Sequence, residues 1–183
     1  MRVIATDIGD VKIVETVRYS DERGYFTETY NKRAFAAAGI GIDFVQDNHS
    51  LSFRRGTIRG LHFQLAPFAQ DKLMRVVRGA ILDVAIDLRR GSPQFGRHVA
   101  VTLRASEPRQ LLVPIGFAHG FCTLEPDTEV VYKVSNFYSA AHDRGIRWND
   151  PALGIAWPVT EPQAALSAKD RQLPLLCDIE APF

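Results

Sequence analysis

The chain has 183 residues, 46% hydrophobic and 23% charged, with a formal net charge of +1, which suits an ordinary soluble globular protein with one buried core. So even a balance excludes a broadly basic nucleic-acid binder, and any anion site must be a local cluster of cations. Cys122 and Cys177 fit neither a metal spacing nor a disulfide framework, the N-terminus carries no signal-like apolar stretch, and the most apolar run, Ala80 to Leu88, is broken by Asp83 and Asp87; a cytoplasmic protein without membrane association is expected.

No repeat, low-complexity tract or linker divides the sequence, so one domain over 1–183 is expected. Asn31 through Gly39 predicts a short helix: Asn31 can cap it, the Ala-rich body favours it and Gly39 can end it. Strand patterns dominate the rest of the chain. Ala80, Leu82, Val84, Ile86 and Leu88 alternate with Ile81, Asp83, Ala85 and Asp87. Val99 to Leu103, Leu111 to Val113 and Glu129 to Val134 are further strands, separated by turn signals at Arg78-Gly79, Gly91-Ser92-Pro93, Ser106-Glu107-Pro108 and Glu125-Pro126-Asp127. Many short strands at this spacing predict an all-β sandwich or barrel. Near the C-terminus Ser167-Ala168-Lys169-Asp170 reads as a helix start capped by Ser167.

Two Gly-flanked, strand-like segments each carry a histidine: Arg55 to Gln64 with His62, and Pro114 to Phe121 with His119. In a jelly roll such segments can lie on facing strands with both imidazoles at the barrel mouth. Taken singly, either histidine reads better as an inert, hydrogen-bonded core residue. Metal cupins place His-x-His and a Glu on the first motif and a His on the second. Here Gln64 stands where the second histidine belongs, and Asp71-Lys72 occupies the glutamate region. His62 and His119 alone are too few ligands for a catalytic metal, and Lys72 would repel one. The remaining reading is a histidine base in a pocket made cationic by Arg59, Lys72 and Arg23, suited to an anionic substrate and intermediate. Arg59 and His62 are three apart, so a regular strand would point them to opposite faces; a bulge at Gly60 would bring them together.

The ordered motifs Arg55 to Gln64, Lys72 to Gly79 with Asp83-Val84, Pro114 to Phe121, Tyr132-Lys133, Gly145 to Pro151 and Ser167 to Asp170 resemble the dTDP-4-dehydrorhamnose 3,5-epimerase family, from about Val11 to Leu173. The resemblance implies a cupin-like jelly roll with an N-terminal strand segment and a C-terminal helical tail. It implies a cofactor-free, metal-free conversion of dTDP-4-dehydro-6-deoxy-D-glucose to dTDP-4-dehydro-L-rhamnose at carbons 3 and 5. It assigns His62 as general base, Asp170 as its partner, Lys72 as holder of the enolate oxygen and Tyr132 as the acid on the opposite face. Arg59 and His119 resemble supporting residues near the sugar or diphosphate. Arg23, Phe26, Glu28, Gln46, Asp47, Asn48 and Lys169 resemble nucleotide contacts, and the N-terminal segment would cross to a second subunit of a homodimer. After the second tyrosine, Tyr138, Asp143 fills a place where the family often has Glu. Two other readings stay open: an epimerase acting at carbon 3 or carbon 5 alone, and a non-catalytic sugar-nucleotide-binding jelly roll.

Overall fold

A computed structural model describes all residues, 1–183. Thirteen strands follow one another: β1 (Arg2–Ala5), β2 (Lys12–Glu15), β3 (Arg18–Asp21), β4 (Gly24–Thr27), β5 (Gln46–Ser52), β6 (Ile58–Gln64), β7 (Lys72–Arg78), β8 (Ala80–Asp87), β9 (His98–Arg104), β10 (Arg109–Val113), β11 (Phe117–Thr123), β12 (Thr128–Val134) and β13 (Asp143–Gly145). One sheet has the order β1-β2-β10-β7-β12-β5, a second β13-β6-β11-β8-β9, and β3-β4 form a separate hairpin. The two large sheets pack as a cupin-like jelly roll. Between them lie Met74, Val76, Ile81, Ala85, Leu103, Leu111, Val113, Phe117, Phe121 and Val130.

The only α-helix, α1 (Lys32–Ala37), follows the expected chemistry. The Asn31 side chain accepts from the Ala34 N–H, and Gly39 leaves the helix at φ +80°. Its buried Phe35 packs on the outer face of the first sheet against Val14, Leu73 and Leu112. The outer face of the second sheet is covered by the C-terminal segment, where Leu176, Ile179 and Phe183 lie over Phe63, Val84 and Ile86. The segment after residue 150 takes 3-10 turns, not a longer helix. Ser167 Oγ accepts from the Asp170 N–H at 3.0 Å, but the helix expected there is a single 3-10 turn, Asp170–Gln172, whose cap position is Lys169 without a side-chain bond, and Leu173 turns extended ahead of Pro174.

Strand β8 alternates as its sequence indicates, yet both of its faces are buried. Ile81 and Ala85 belong to the core between the sheets, while Leu82, Val84, Ile86 and Leu88 meet the C-terminal cover. Period two therefore sends Asp83 and Asp87 into the barrel rather than into solvent.

Candidate active site

The two histidine segments become β6 and β11, which are neighbours in one sheet rather than strands facing across the barrel, and His119 pairs directly with His62. The register slips between His119 and Phe121, so Phe121 opposes Arg59. Gly60 makes the slip possible. It sits at φ +125°, and a Cβ there would lie 2.6 Å from the Gly120 Cα; a Cβ on Gly120 would lie 2.7 Å from the Arg59 carbonyl oxygen. Two missing side chains let the strands close and turn Arg59 and His62 into the same cavity.

That cavity, about 310 Å³, opens between the sheets. The second sheet supplies Arg59, His62, His119 and Phe121; the first supplies Ser50, Lys72, Met74 and Tyr132; Ser167, Lys169 and Asp170 come from the C-terminal turn. A smaller hollow of about 140 Å³ shares His62, Lys72 and Tyr132 and adds Gln46, Asn48, Gln64, Tyr138 and Asp143.

His62 Nε2 lies 2.7 Å from Asp170 Oδ1; the imidazole is 30% exposed and the carboxylate 5%. Burial pushes the Asp170 carboxyl upward, but the bonds to His62 and Ser167 and the charges of His62 and Lys169 hold it below its ordinary value. Lys72 Nζ donates to the His62 carbonyl at 3.3 Å. Burial brings its pKa down to about 8, opposed by the charges of Asp143 and Asp83 and reinforced by Lys169. The Tyr132 phenol is raised, chiefly by burial. Arg59 is fixed by its Nε on Ser52 Oγ at 3.1 Å and its Nη2 on the Leu51 carbonyl at 3.0 Å. At the mouth the Tyr138 hydroxyl donates to Asp143 Oδ2 at 3.1 Å, and Lys169 forms an ion pair with the same oxygen; the Asp143 bond raises the Tyr138 phenol.

The nucleotide-contact assignments divide. Gln46 and Asn48 face the smaller hollow and bond to each other at 2.9 Å. Asp47, one residue along β5, points to the opposite face and pairs with Lys133 at 2.8 Å; strand alternation alone removes it from this cavity. Arg23, Phe26 and Glu28 do not reach the cavity of their own chain. Arg23 is paired with Asp21 and its side chain is 85% exposed, Phe26 is 69% exposed, and Glu28 is exposed just beyond the hairpin.

Several lining residues escape sequence reasoning although a signal exists. Ser50, Met74 and Phe121 each lie two residues beyond a recognised position, Asn48, Lys72 and His119, and period two places them on the same face. Gln64 has a different task. Its Nε2 donates to the carbonyls of Phe68 and Phe137, at 2.7 and 3.1 Å, and its Oε1 accepts from the Ser139 N–H at 2.6 Å. It ties the 65–71 and 135–142 loops to β6.

A jelly roll with a histidine–carboxylate dyad, a buried lysine and a buried tyrosine converging on one cavity defines a class: an acid–base enzyme built to handle an anionic intermediate. The model of the dTDP-4-dehydrorhamnose 3,5-epimerase family matches residues 5–178. A dTDP-4-dehydrorhamnose 3,5-epimerase of Shigella flexneri is 52% identical over 171 residues, 93% of each chain. A crystal structure of the Bacillus anthracis enzyme of that name, with TDP and PPi bound, is 55% identical with a TM-score of 0.92, covering 96% of this chain and 99% of that one. The Legionella pneumophila dTDP-6-deoxy-D-glucose-3,5-epimerase, in complex with dTDP-4-keto-L-rhamnose, is 43% identical with a TM-score of 0.92, covering 98% and 95%. The chain belongs to the dTDP-4-dehydrorhamnose 3,5-epimerase family, and it is an isomerase acting on carbohydrates.

Proposed function

We propose that this enzyme converts dTDP-4-dehydro-6-deoxy-D-glucose to dTDP-4-dehydro-L-rhamnose by inverting carbons 3 and 5, in dTDP-L-rhamnose biosynthesis. The observation that carries the chemistry is the placement of His62 on one sheet, bonded to Asp170 of the C-terminal turn, and of Lys72 and Tyr132 on the other sheet, around one cavity. His62 takes the proton from the carbon beside the 4-keto group, and the C–H electron pair moves into an enolate. Asp170, kept ionised by its bonds, steadies the imidazolium. The Lys72 ammonium holds the enolate oxygen. Tyr132, kept protonated by burial, delivers a proton to the other face and is refilled from solvent.

Both imidazoles commit Nε2 to a carboxylate, and no group of three or more His, Cys, Asp or Glu forms a ligand set. With Gln64 committed to the loops, this donor chemistry supports a reaction without metal. Arg59 and His119 lie where the sugar or diphosphate would pass, and Gln46, Asn48, Tyr138, Asp143 and Lys169 line the way out.

The same reading makes the protein a homodimer. The β3–β4 hairpin exposes Tyr19, Tyr25 and Phe26 with Arg23 at its tip, and apolar surface of that kind is suited to a protein partner. In the dimer the hairpin brings Arg23, Phe26 and Glu28 to the partner's cavity as diphosphate and base contacts. No helix is long and apolar enough to cross a membrane; cytoplasmic work on a soluble nucleotide sugar fits.

The decisive experiment is proton NMR of dTDP-4-keto-6-deoxyglucose incubated with the enzyme in deuterated water. Deuterium at carbons 3 and 5 with appearance of the rhamno product is expected. Exchange and inversion at one carbon would make it a mono-epimerase, and no exchange would remove the epimerase reading. Mixing Arg23→Ala subunits with His62→Asn subunits should restore activity that neither variant has alone; no restoration would remove the crossed hairpin.

A further inference from the structure

The cavity holds a second histidine–carboxylate pair that the proposed reaction does not use. His119 Nε2 lies 2.6 Å from Asp83 Oδ1, with side-chain exposures of 6% and 0%. Asp83 Oδ2 is buried and has no hydrogen-bond partner at all. A carboxylate with an idle oxygen in a dry wall is costly unless nearby positive charge compensates it. His119 satisfies one oxygen by contact, and the Asp83 charge favours the ammonium form of Lys72, which lines the same cavity as His119.

We infer that Asp83 is a positioning residue, a fixed counter-ion that orients His119 by contact and keeps Lys72 charged through the pocket wall. Its Oδ1 accepts a hydrogen bond from the His119 Nε2–H, which leaves Nδ1 as the ring nitrogen available to the substrate. Its charge opposes the loss of the Lys72 proton. The other groups around Lys72 pull both ways. Asp143 on β13 favours the ammonium, Lys169 on the C-terminal turn disfavours it, and the cavity is further bounded by Arg59 and His62 from β6, His119 from β11, Tyr132 from β12 and Asp170 from the C-terminal turn. Asp83 and Asp170 are both buried acids that pair directly with a histidine and with no lysine or arginine, and of the two only Asp83 has a buried oxygen without a partner.

The test is Asp83→Asn, which keeps an acceptor oxygen for His119 and removes only the charge. The pH profile of kcat/KM for the purified variant is compared with wild type, with melting temperature and circular dichroism as folding controls. The alkaline limb should move to lower pH by roughly one unit, because an ammonium deprived of a neighbouring anion gives up its proton sooner. A folded variant whose alkaline limb stays in place overturns the inference, since a merely structural residue would change the melting temperature without moving the limb. Should the variant not fold, nitrogen-15 spectra of the histidine rings in the wild type decide. A proton on His119 Nε2 upholds the pairing, and a proton on Nδ1 alone overturns it. The inference rests on the epimerase reading in its activity readout only. Inactive wild type on the dTDP sugar would sink that reading, whereas the histidine spectra need no substrate.

Discussion

Asp83 and Asp87 lie on one face of one strand, both fully buried, and they meet opposite ends of the barrel. At the closed end Asp87 is saturated. Its Oδ1 accepts from the Arg89 N–H and Nε, both at 2.9 Å, and its Oδ2 from Arg89 Nη2 at 2.6 Å and Ser92 Oγ at 2.7 Å. Arg89 in turn reaches Asp10 at 2.7 Å and lies over the Phe117 ring. At the open end Asp83 has one partner and an idle oxygen. The same residue type in the same register thus closes the barrel at one end and leaves charge available at the other. A satisfied buried network rigidifies; an unsatisfied one remains responsive to whatever enters.

The largest expected effect is at the open end. His62→Asn should lower epimerisation and solvent-deuterium uptake by roughly 10²–10⁴-fold, the usual worth of a positioned general base, with melting temperature little changed. Substantial exchange by the variant would move the base elsewhere. Arg89→Ala at the closed end should do the reverse. It strands a fully buried carboxylate and should cost roughly 3 kcal/mol of stability in denaturant unfolding, while kcat/KM per folded molecule holds. The pH dependence carries a sign. Burial pushes the Asp87 carboxyl up, but its bonds to Arg89 and Ser92 bring it below its ordinary value. Its contribution to stability is therefore complete above about pH 4, the unfolded value, and is lost as pH falls through the lower folded value. Asp87→Asn should flatten the melting-temperature profile in that acid range.

Two smaller effects sharpen the contrast. Tyr132→Phe removes one hydroxyl, so inversion should fall by about 10²-fold while His62 still exchanges the substrate proton. Equal loss of exchange and inversion would take Tyr132 out of the acid role and make Tyr138 the next residue to test. For Lys72, the charged form prevails below about pH 8 and is lost above it, so wild-type kcat/KM should decline as pH rises through about 8. Lys72→Arg stays charged, so any activity it retains should lack that decline. A profile flat to about pH 10, near the ordinary lysine value, would mean that the ammonium is not needed.

The difference between the ends also shows what a sequence discloses. The alternation of β8 is written in its residues, and so is the Asn31 cap, because each depends on neighbours along the chain; the Gly60 bulge is only suggested by the spacing of Arg59 and His62, since it rests on Gly120 of the adjacent strand. The same period of two separates Asp47 from Gln46 and Asn48. The direction of the acid face of β8 is not legible, since alternation gives two faces without saying that both are buried. Nor is the pairing of Asp83 with His119, which comes from strand register 36 residues away in sequence. The dyad of His62 with Asp170, 108 residues apart, is implied by resemblance alone. At the C-terminus the Ser167 bond to the Asp170 N–H reads as the start of a helix, because nothing local to it announces the extended Leu173 that leaves only one 3-10 turn.

The contact of Gly60 with Gly120 has a consequence for anyone wishing to retool the enzyme. Any added methyl at either position meets backbone at under 3 Å, so neither can be explored one substitution at a time: the first step already drives β6 and β11 apart and with them the two imidazoles. The loops at 65–71 and 135–142 hang on this frame through Gln64 and stand at the rim. Variation meant to admit new sugars belongs there, where the chain can change its grip without disturbing the anvil on which the proton is moved.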